Sequence, residues 1–225
     1  MKLIFVRHGH PNYKNDCLTE LGHLHAEAAA ERLKNEKIDK IFSSSCGRAY
    51  ETAEHIAARH GLDVVKLDFM RELKWGVKNT EDFLHPWDRS REWVAKSKAV
   101  MDLRWDTDEE YTGRTVTGCY YKVAEGIDQW LKTQGLEREG GYYRITEKND
   151  NVILLTSHAG SSSAALAHIF NMPFPFVCSA VPPDYTAITV VNFKGEAGEL
   201  TAPEFELVND ARHIEGISVE NYFGN

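Results

Sequence analysis

The chain has 225 residues, 42% of them hydrophobic and 27% charged, which suffices for one sizeable domain core. Its formal net charge of −8 leaves no basic surplus to displace counterions from a nucleic-acid backbone, yet allows a local basic pocket for a small anion. No apolar run approaches the roughly 18 residues of a membrane span, which excludes a helical membrane protein.

The elements alternate along the chain. "KLIFVRHGHP" (2–11) opens as an apolar strand and runs straight into Arg7, His8, Gly9 and His10, which predicts no signal peptide. "LTELGHLHAEAAAERLKN" has helical spacing with Thr19 as N-cap. "IDKIFSSS" reads as a strand ending in serines, and "GRAYETAEHIAARHG" as a helix stopped by Gly61. "LDVVKLD" is a third strand. "YYKVAEGIDQWLKTQG" is a helix, "NVILLTSHAG" a buried strand that again ends on a histidine, and "SSSAALAHIFN" the next helix. "YTAITVVNF" is a late strand, with a short one at "EFELVND". This order predicts an α/β fold: three layers, α/β/α, with a mainly parallel central sheet.

Residues 75–118 break the rhythm. Trp75, Trp87, Trp93 and Trp105 fall there amid many charges, and a connection of that length predicts helices of its own. We read the chain as one domain, 1–225, in which 75–118 is an inserted helical segment that either packs on the core or caps the active site. The four cysteines, Cys17, Cys46, Cys119 and Cys178, are scattered without a CxxC pair. They read as free thiols of a cytoplasmic protein.

In open α/β sheets, ligands bind beyond the carboxyl ends of the strands. Parallel strands would bring Arg7-His8-Gly9, the serines before Arg48, and Ser157-His158-Ala159-Gly160 to one sheet edge. Two arginines and two histidines there make a pocket for a compact dianion, most naturally a phosphoryl group, because the guanidinium fork pairs with phosphate oxygens. Gly9 would let the backbone approach the ligand. A histidine between two fixed cations stays neutral, since like charges lower its pKa, and a neutral imidazole can accept a phosphoryl group and pass it to water.

These motifs resemble those of the histidine phosphatase, or phosphoglycerate mutase-like, superfamily. "VRHG" (6–9) is similar to its nucleophile motif and "LTELG" (18–22) to the segment that follows. "SSSCGRAYETA" (43–53) fits the pattern SSxxxRAxxTA at every specified position. "RELKWG" (71–76) resembles the stretch carrying the general acid, and "LLTSHAG" (154–160) the second-histidine motif. The resemblance implies that His8 is phosphorylated, that Arg7, Arg48, His158 and the backbone at Gly9 and Ala159 hold the phosphate, and that Glu72 is the acid and then the base. It implies no metal and no cofactor, and a small phosphorylated metabolite as partner; a homodimer is allowed. His10 and Trp75 would lie near the substrate, and the tryptophan-rich segment suggests a partly apolar or ring-bearing leaving group.

The chain also departs from the family. His10 stands where many members have Glu, Ala159 where glycine is common and His25 where glutamine is common, which points to an altered substrate pocket. "HPNYKNDC" does not resemble the extended stretch of the cofactor-dependent mutases, so phosphatase is favoured over mutase. RHGHPN and His158-Ala159 differ from the acid-phosphatase and phytase branch, and the smaller cytosolic branch fits better. Glu81 and Glu109 are rival acids. The remaining histidines, His23, His25, His55, His60, His85, His168 and His213, read singly as structural.

Other classes fare worse. A cysteine phosphatase needs Arg six places after its Cys, and here those places hold His23, Thr52, Glu125 and Asp184. A metallohydrolase could draw ligands from His8-x-His10 and His23-x-His25, but Arg7 would repel a divalent ion. A catalytically silent binding module on the same fold is disfavoured by the intact set of catalytic groups.

Overall fold

The computed structural model describes residues 1–76 and 89–217. Its elements, in chain order, are β1 (Lys2–Arg7), β2 (Pro11–Asn12), β3 (Cys17–Leu18), α1 (Glu20–Leu33), β4 (Lys40–Ser44), α2 (Gly47–His60), β5 (Val64–Leu67), α3 (Arg91–Lys96), α4 (Lys98–Met101), α5 (Thr115–Thr133), β6 (Leu136–Glu139), β7 (Tyr142–Ile145), β8 (Val152–Ser157), α6 (Ala159–Phe170), α7 (Phe174–Ala180), β9 (Ile188–Phe193), β10 (Leu200–Thr201) and β11 (Pro203–Asp210).

The central sheet has the order β11-β9-β1-β8-β4-β5. The pairs β1–β8, β8–β4 and β4–β5 are parallel, whereas β9 runs antiparallel to both β1 and β11. The sheet is thus parallel where it carries the expected site and antiparallel at one side. Its strands alternate apolar residues between two faces, as the two-residue period of a strand dictates. Leu3, Phe5, Ile153 and Leu155 pack with Ile127 and Leu131 of α5 and Ala164 and Ile169 of α6. Ile4, Val6, Ile41 and Leu154 pack with Ala30 and Leu33 of α1 and Ala53 and Ile56 of α2. Each sheet face therefore has its own helical layer, as the sequence predicts.

Local signals hold at the helix ends. The Thr19 side chain accepts the Gly22 N–H and caps α1, and Gly61 ends α2 in the left-handed region at φ 65°. α5 starts at Thr115, five residues before the predicted helix, so residues 115–118 form its first turn. The β6–β7 hairpin, joined by β10 into a second, antiparallel sheet, was not legible: "LERE" and "YYRI" are too short to show a period.

Within 75–118, the described residues form two short helices, α3 and α4, and a 3₁₀ turn at Trp105–Thr107. Trp75 and Trp105 are buried and lie against Phe174 of α7, with ring centroids 5.6 and 5.3 Å away. Glu81, His85 and Trp87 lie outside the described residues. No helix among the described residues is long and apolar enough to cross a membrane. All four cysteines are free thiols.

Candidate active site

The parallel register sets the site. Arg7 at the end of β1 pairs with Ser157 at the end of β8, and Ser43 of β4 pairs with Thr156. The next residues of β1 and β8, His8 and His158, emerge side by side, and the His8 N–H donates to the Ser157 carbonyl at 2.9 Å. Their rings lie 5.1 Å apart, edge to face. α2 begins three residues after β4, so Arg48 points from its first turn across the same edge, with Nε 3.4 Å from His8 Nε2.

His8 is almost wholly buried, and its tautomer follows from its partners. Nδ1 stands 2.7 Å from the Gly9 carbonyl oxygen. A carbonyl only accepts, so Nδ1 carries the hydrogen and Nε2 presents its lone pair beside Arg48. The ring's pKa is lowered to about 3, first by burial and next by the Arg7 charge. Neutrality is therefore secured as the sequence predicts, but burial outranks the arginines as its cause.

Arg7 is held from one side by protein. Its Nη1 donates to the Pro183 carbonyl at 2.6 Å, and its guanidinium lies 4.3 Å from the centre of the Tyr185 ring. Arg48 is held by Asp16, whose carboxylate pairs with Nη1 and also accepts the Gly47 N–H at 2.9 Å. The exposed Tyr13 ring lies 5.3 Å from the Arg48 guanidinium.

At Gly9 a Cβ would come within 2.5 Å of the Gly22 carbonyl oxygen of α1, so the missing side chain makes room for α1. The Gly9 N–H donates to Thr52 Oγ1 at 3.1 Å, and Thr52 in turn donates to the Arg48 carbonyl at 2.8 Å. One threonine, four residues after Arg48 on α2, thus joins the loop that follows β1 to that helix.

His158 is the N-cap residue of α6, which starts at Ala159. Its side chain does not cap that helix, and Glu72 does so instead. The Glu72 carboxylate accepts the N–H groups of Gly160 at 3.3 Å, Ser161 at 3.2 Å and Leu73 at 2.8 Å. Burial pushes the Glu72 pKa up, opposed by the Leu73 and Gly160 amides and by the Arg48 and Arg7 charges. Trp75 stands at the same place, since a Cβ on Gly160 would meet Glu72 Oε1 at 2.5 Å and Trp75 Cζ2 at 2.9 Å. Glu109 is exposed, among Ser90, Trp93 and Lys98 on the inserted segment.

His10 is half-buried, with Nδ1 2.9 Å from Thr19 Oγ1 and its ring 5.4 Å from that of Tyr185. The histidines considered as metal ligands diverge: His23 Nδ1 pairs with His55 Nε2 at 3.0 Å, and His25 Nε2 donates to the Ile217 carbonyl. Among the described residues, no group of three or more His, Cys, Asp or Glu side chains could hold a metal ion. Trp75 and Trp105 face Phe174, and Trp75 also stands beside Glu72 at the start of α6. The aromatic faces beside the arginines belong to Tyr13 and Tyr185.

Sequence reasoning missed Asp16, Tyr185 and Ser44. Ser44 and Thr52 lie inside the 43–53 motif, and that pattern was the available signal. Asp16 and Tyr185 reach the site through loop contacts that no local pattern encodes.

A sequence model of the histidine phosphatase superfamily (branch 1) matches residues 3–205. Proteins named probable phosphoglycerate mutase GpmB, from Yersinia pestis and Yersinia pseudotuberculosis, are 35% identical over 86 residues. That match covers 34% of this chain and only 40% of the relatives' own length. Among solved structures, mycobacterial glucosyl-3-phosphoglycerate phosphatase bound to inorganic phosphate superposes with a TM-score of 0.65 at 21% identity, covering 94% of this chain and 98% of that one. Phosphoserine phosphatase from Entamoeba histolytica gives 0.64 at 19% identity, covering 95% and 98%. The α-ribazole phosphatase of Shigella flexneri gives 0.62 at 17%, covering 94% and 97%. At these identities the likeness concerns the fold.

Proposed function

The chain belongs to the histidine phosphatase superfamily, and from that premise we propose that it hydrolyses a small phosphomonoester through a phosphohistidine at His8, without a metal. The observation that carries this reading is the His8 ring: neutral, its Nδ1–H donating to the Gly9 carbonyl, and its Nε2 lone pair set beside Arg48. Nε2 attacks phosphorus as the ester oxygen departs, and Glu72 gives that oxygen its proton. Arg7, Arg48, His158 and the amide of Ala159 stabilise charge on the equatorial oxygens. In the second step Glu72 takes a proton from water, the water oxygen bonds to phosphorus, and the N–P bond breaks to release phosphate. The Nδ1–H bond to Gly9 O persists throughout and spreads the positive charge of the phosphorylated ring. In this reading the 75–118 segment is a cap, anchored through Trp75 and Trp105 on Phe174.

Hydrolysis of p-nitrophenyl phosphate should survive EDTA. Stopped with base after mixing with labelled substrate, the protein should retain acid-labile phosphate, and His8→Ala should lose both label and turnover. Activity abolished by EDTA and restored by zinc, or label retained in His8→Ala, would overturn the proposal. Interconversion of 3- and 2-phosphoglycerate faster than their hydrolysis would move the assignment to a mutase. A panel of phosphorylated metabolites identifies the substrate.

A further inference from the structure

On their solvent side, α1 and α2 are joined by two rungs. His23 and Glu27 stand one turn apart on α1, and His55 and Arg59 one turn apart on α2. Glu27 pairs with Arg59, and His23 Nδ1 lies 3.0 Å from His55 Nε2. His23 is exposed and His55 is half-buried, so water reaches both rings.

Glu27 decides which nitrogen of His55 faces its neighbour with a lone pair. Its Oε2 stands 3.3 Å from His55 Nδ1. The Glu27 pKa is lowered, first by the His55 hydrogen bond and also by Arg59, so the group is a carboxylate and only accepts. Nδ1 of His55 therefore carries a hydrogen, and in the neutral ring Nε2 turns its lone pair to His23. Water lets the exposed His23 ring carry its hydrogen on either nitrogen. With that hydrogen on Nε2, two lone pairs converge on one point between the helices. A carboxylate behind an imidazole is the arrangement that orients a histidine toward a metal and raises its basicity. The Arg59 charge is matched by Glu27, unlike that of Arg7 in the phosphate pocket. Tetrahedral Zn²⁺, with Zn–N bonds of about 2.0–2.1 Å, sets two nitrogens about 3.3–3.4 Å apart. The His23–His55 pair is a few tenths of an ångström closer, a gap that two side chains at the surface close by small rotations.

We propose that His23 Nδ1 and His55 Nε2 form a divalent transition-metal site, with Zn²⁺ as the fitting ion, water as the remaining ligands and Glu27 as the outer partner of His55. Binding exchanges one hydrogen bond for two Zn–N bonds; the His23 hydrogen moves to Nε2, and the neutral pair releases no proton. Two protein ligands make a modest site, so its occupancy follows the free metal concentration. The ion cross-links the two helices that grip Gly9: the Gly22 carbonyl of α1 packs against it, and Thr52 of α2 accepts its N–H. His23 directly follows Gly22, and His55 lies three residues past Thr52. The metal stabilises this grip from the surface and takes no part in the phosphoryl transfer proposed above.

The test is a Zn²⁺ titration of the EDTA-dialysed, full-length protein at pH 7.5, followed by calorimetry and by two-bond ¹H–¹⁵N correlation of the labelled histidines. One equivalent should bind with micromolar affinity and raise the unfolding temperature. The His23 and His55 signals, identified by their loss in His23→Asn and His55→Asn, should move before those of any other histidine. Each of these surface variants should abolish the binding and the thermal shift, and Glu27→Gln should weaken binding about 10-fold. Undiminished binding in both Asn variants, or first movement of the His8, His10 or His158 signals, overturns the proposal. Saturation only at millimolar Zn²⁺ means an adventitious ion only and overturns it too. EDTA should lower the unfolding temperature of the zinc-loaded protein without abolishing turnover. If zinc binds as stated and no phosphomonoester is hydrolysed, the functional reading fails and the metal site stands.

Discussion

Glu72 faces opposing demands within one side chain. In the acid role proposed above it must hold a proton, which burial favours; at the N-terminus of α6 it accepts amide hydrogens, which favours the carboxylate. Burial is the larger influence, so the pKa is raised and the group can alternate between acid and base. The consequence depends on the leaving group. An alkoxide needs the proton as it departs, and p-nitrophenolate barely does. Glu72→Gln keeps an amide oxygen for the α6 N–H groups and removes the acid. It should therefore slow phosphoryl transfer from alkyl phosphates by ~10²–10⁴-fold and from p-nitrophenyl phosphate far less. Rapid-quench single turnovers isolate this step from dephosphorylation, which loss of the base slows for every substrate. An equal fall for alkyl and aryl substrates would remove Glu72 from the role and pass it to another carboxylate.

At the scale of elements, the site is three strand ends and two helix starts, and this explains what the sequence discloses. An apolar run that stops on Arg-His-Gly, and another that stops on Ser-His-Ala, mark strand ends whatever their direction. Parallel pairing of β1, β8 and β4 then places them together. His8, Arg48, His158 and Glu72 were legible on that ground and from the motifs around them. The buttresses were not. Asp16 reaches Arg48 from the turn between β2 and β3, and Tyr185 reaches Arg7 from the loop before β9. Both depend on how loops fold back, which has no period. Gly160 shows the same limit: its position after His158 was legible, its reason was not. A Cβ there would meet Glu72 Oε1 and Trp75 Cζ2 inside contact distance. Gly160→Ala should therefore displace the acid from α6 and overpack the site, at a cost of roughly 1–3 kcal/mol. Urea denaturation should show that loss, and alkyl-phosphate turnover should fall more than binding of vanadate. Wild-type values in both assays would show that Trp75 and Glu72 yield without consequence.

The whole molecule places neutral histidines in its interior, and this ties its stability to pH. His8 and His158 are buried at the parallel strand ends, and His25 and His213 are shifted in the same direction, burial being the largest cause for all four. A buried histidine with a lowered pKa stays neutral in the fold, while in the unfolded chain it takes a proton below about 6.5. Its contribution is complete above that value and is lost as pH falls through it toward the folded pKa, which for His8 is about 3. Between pH 7.5 and 5.5 the loss is about 1.4 kcal/mol for His8, and His158, lowered in the same direction, adds to it. Glu72 acts with the opposite sign. Its raised pKa means that the fold takes up a proton more readily than the unfolded chain, which relieves a cost as pH falls through the folded value. Asp210, lowered to about 2, loses its contribution only below the ordinary carboxylate range and stays outside this window. Urea unfolding free energies should thus decline from pH 7.5 to 5.5, with about 1.4 kcal/mol from His8 alone, further loss from His158, His25 and His213, and part of it returned by Glu72. Two variants separate the contributions. His8→Asn, lacking one buried imidazole, should have a shallower decline, and Glu72→Gln, lacking the opposing carboxyl, a steeper one. A flat wild-type profile, or identical slopes in all three proteins, would mean that His8 titrates alike in the folded and unfolded chains, and its constant neutrality as a nucleophile would have to be abandoned with it.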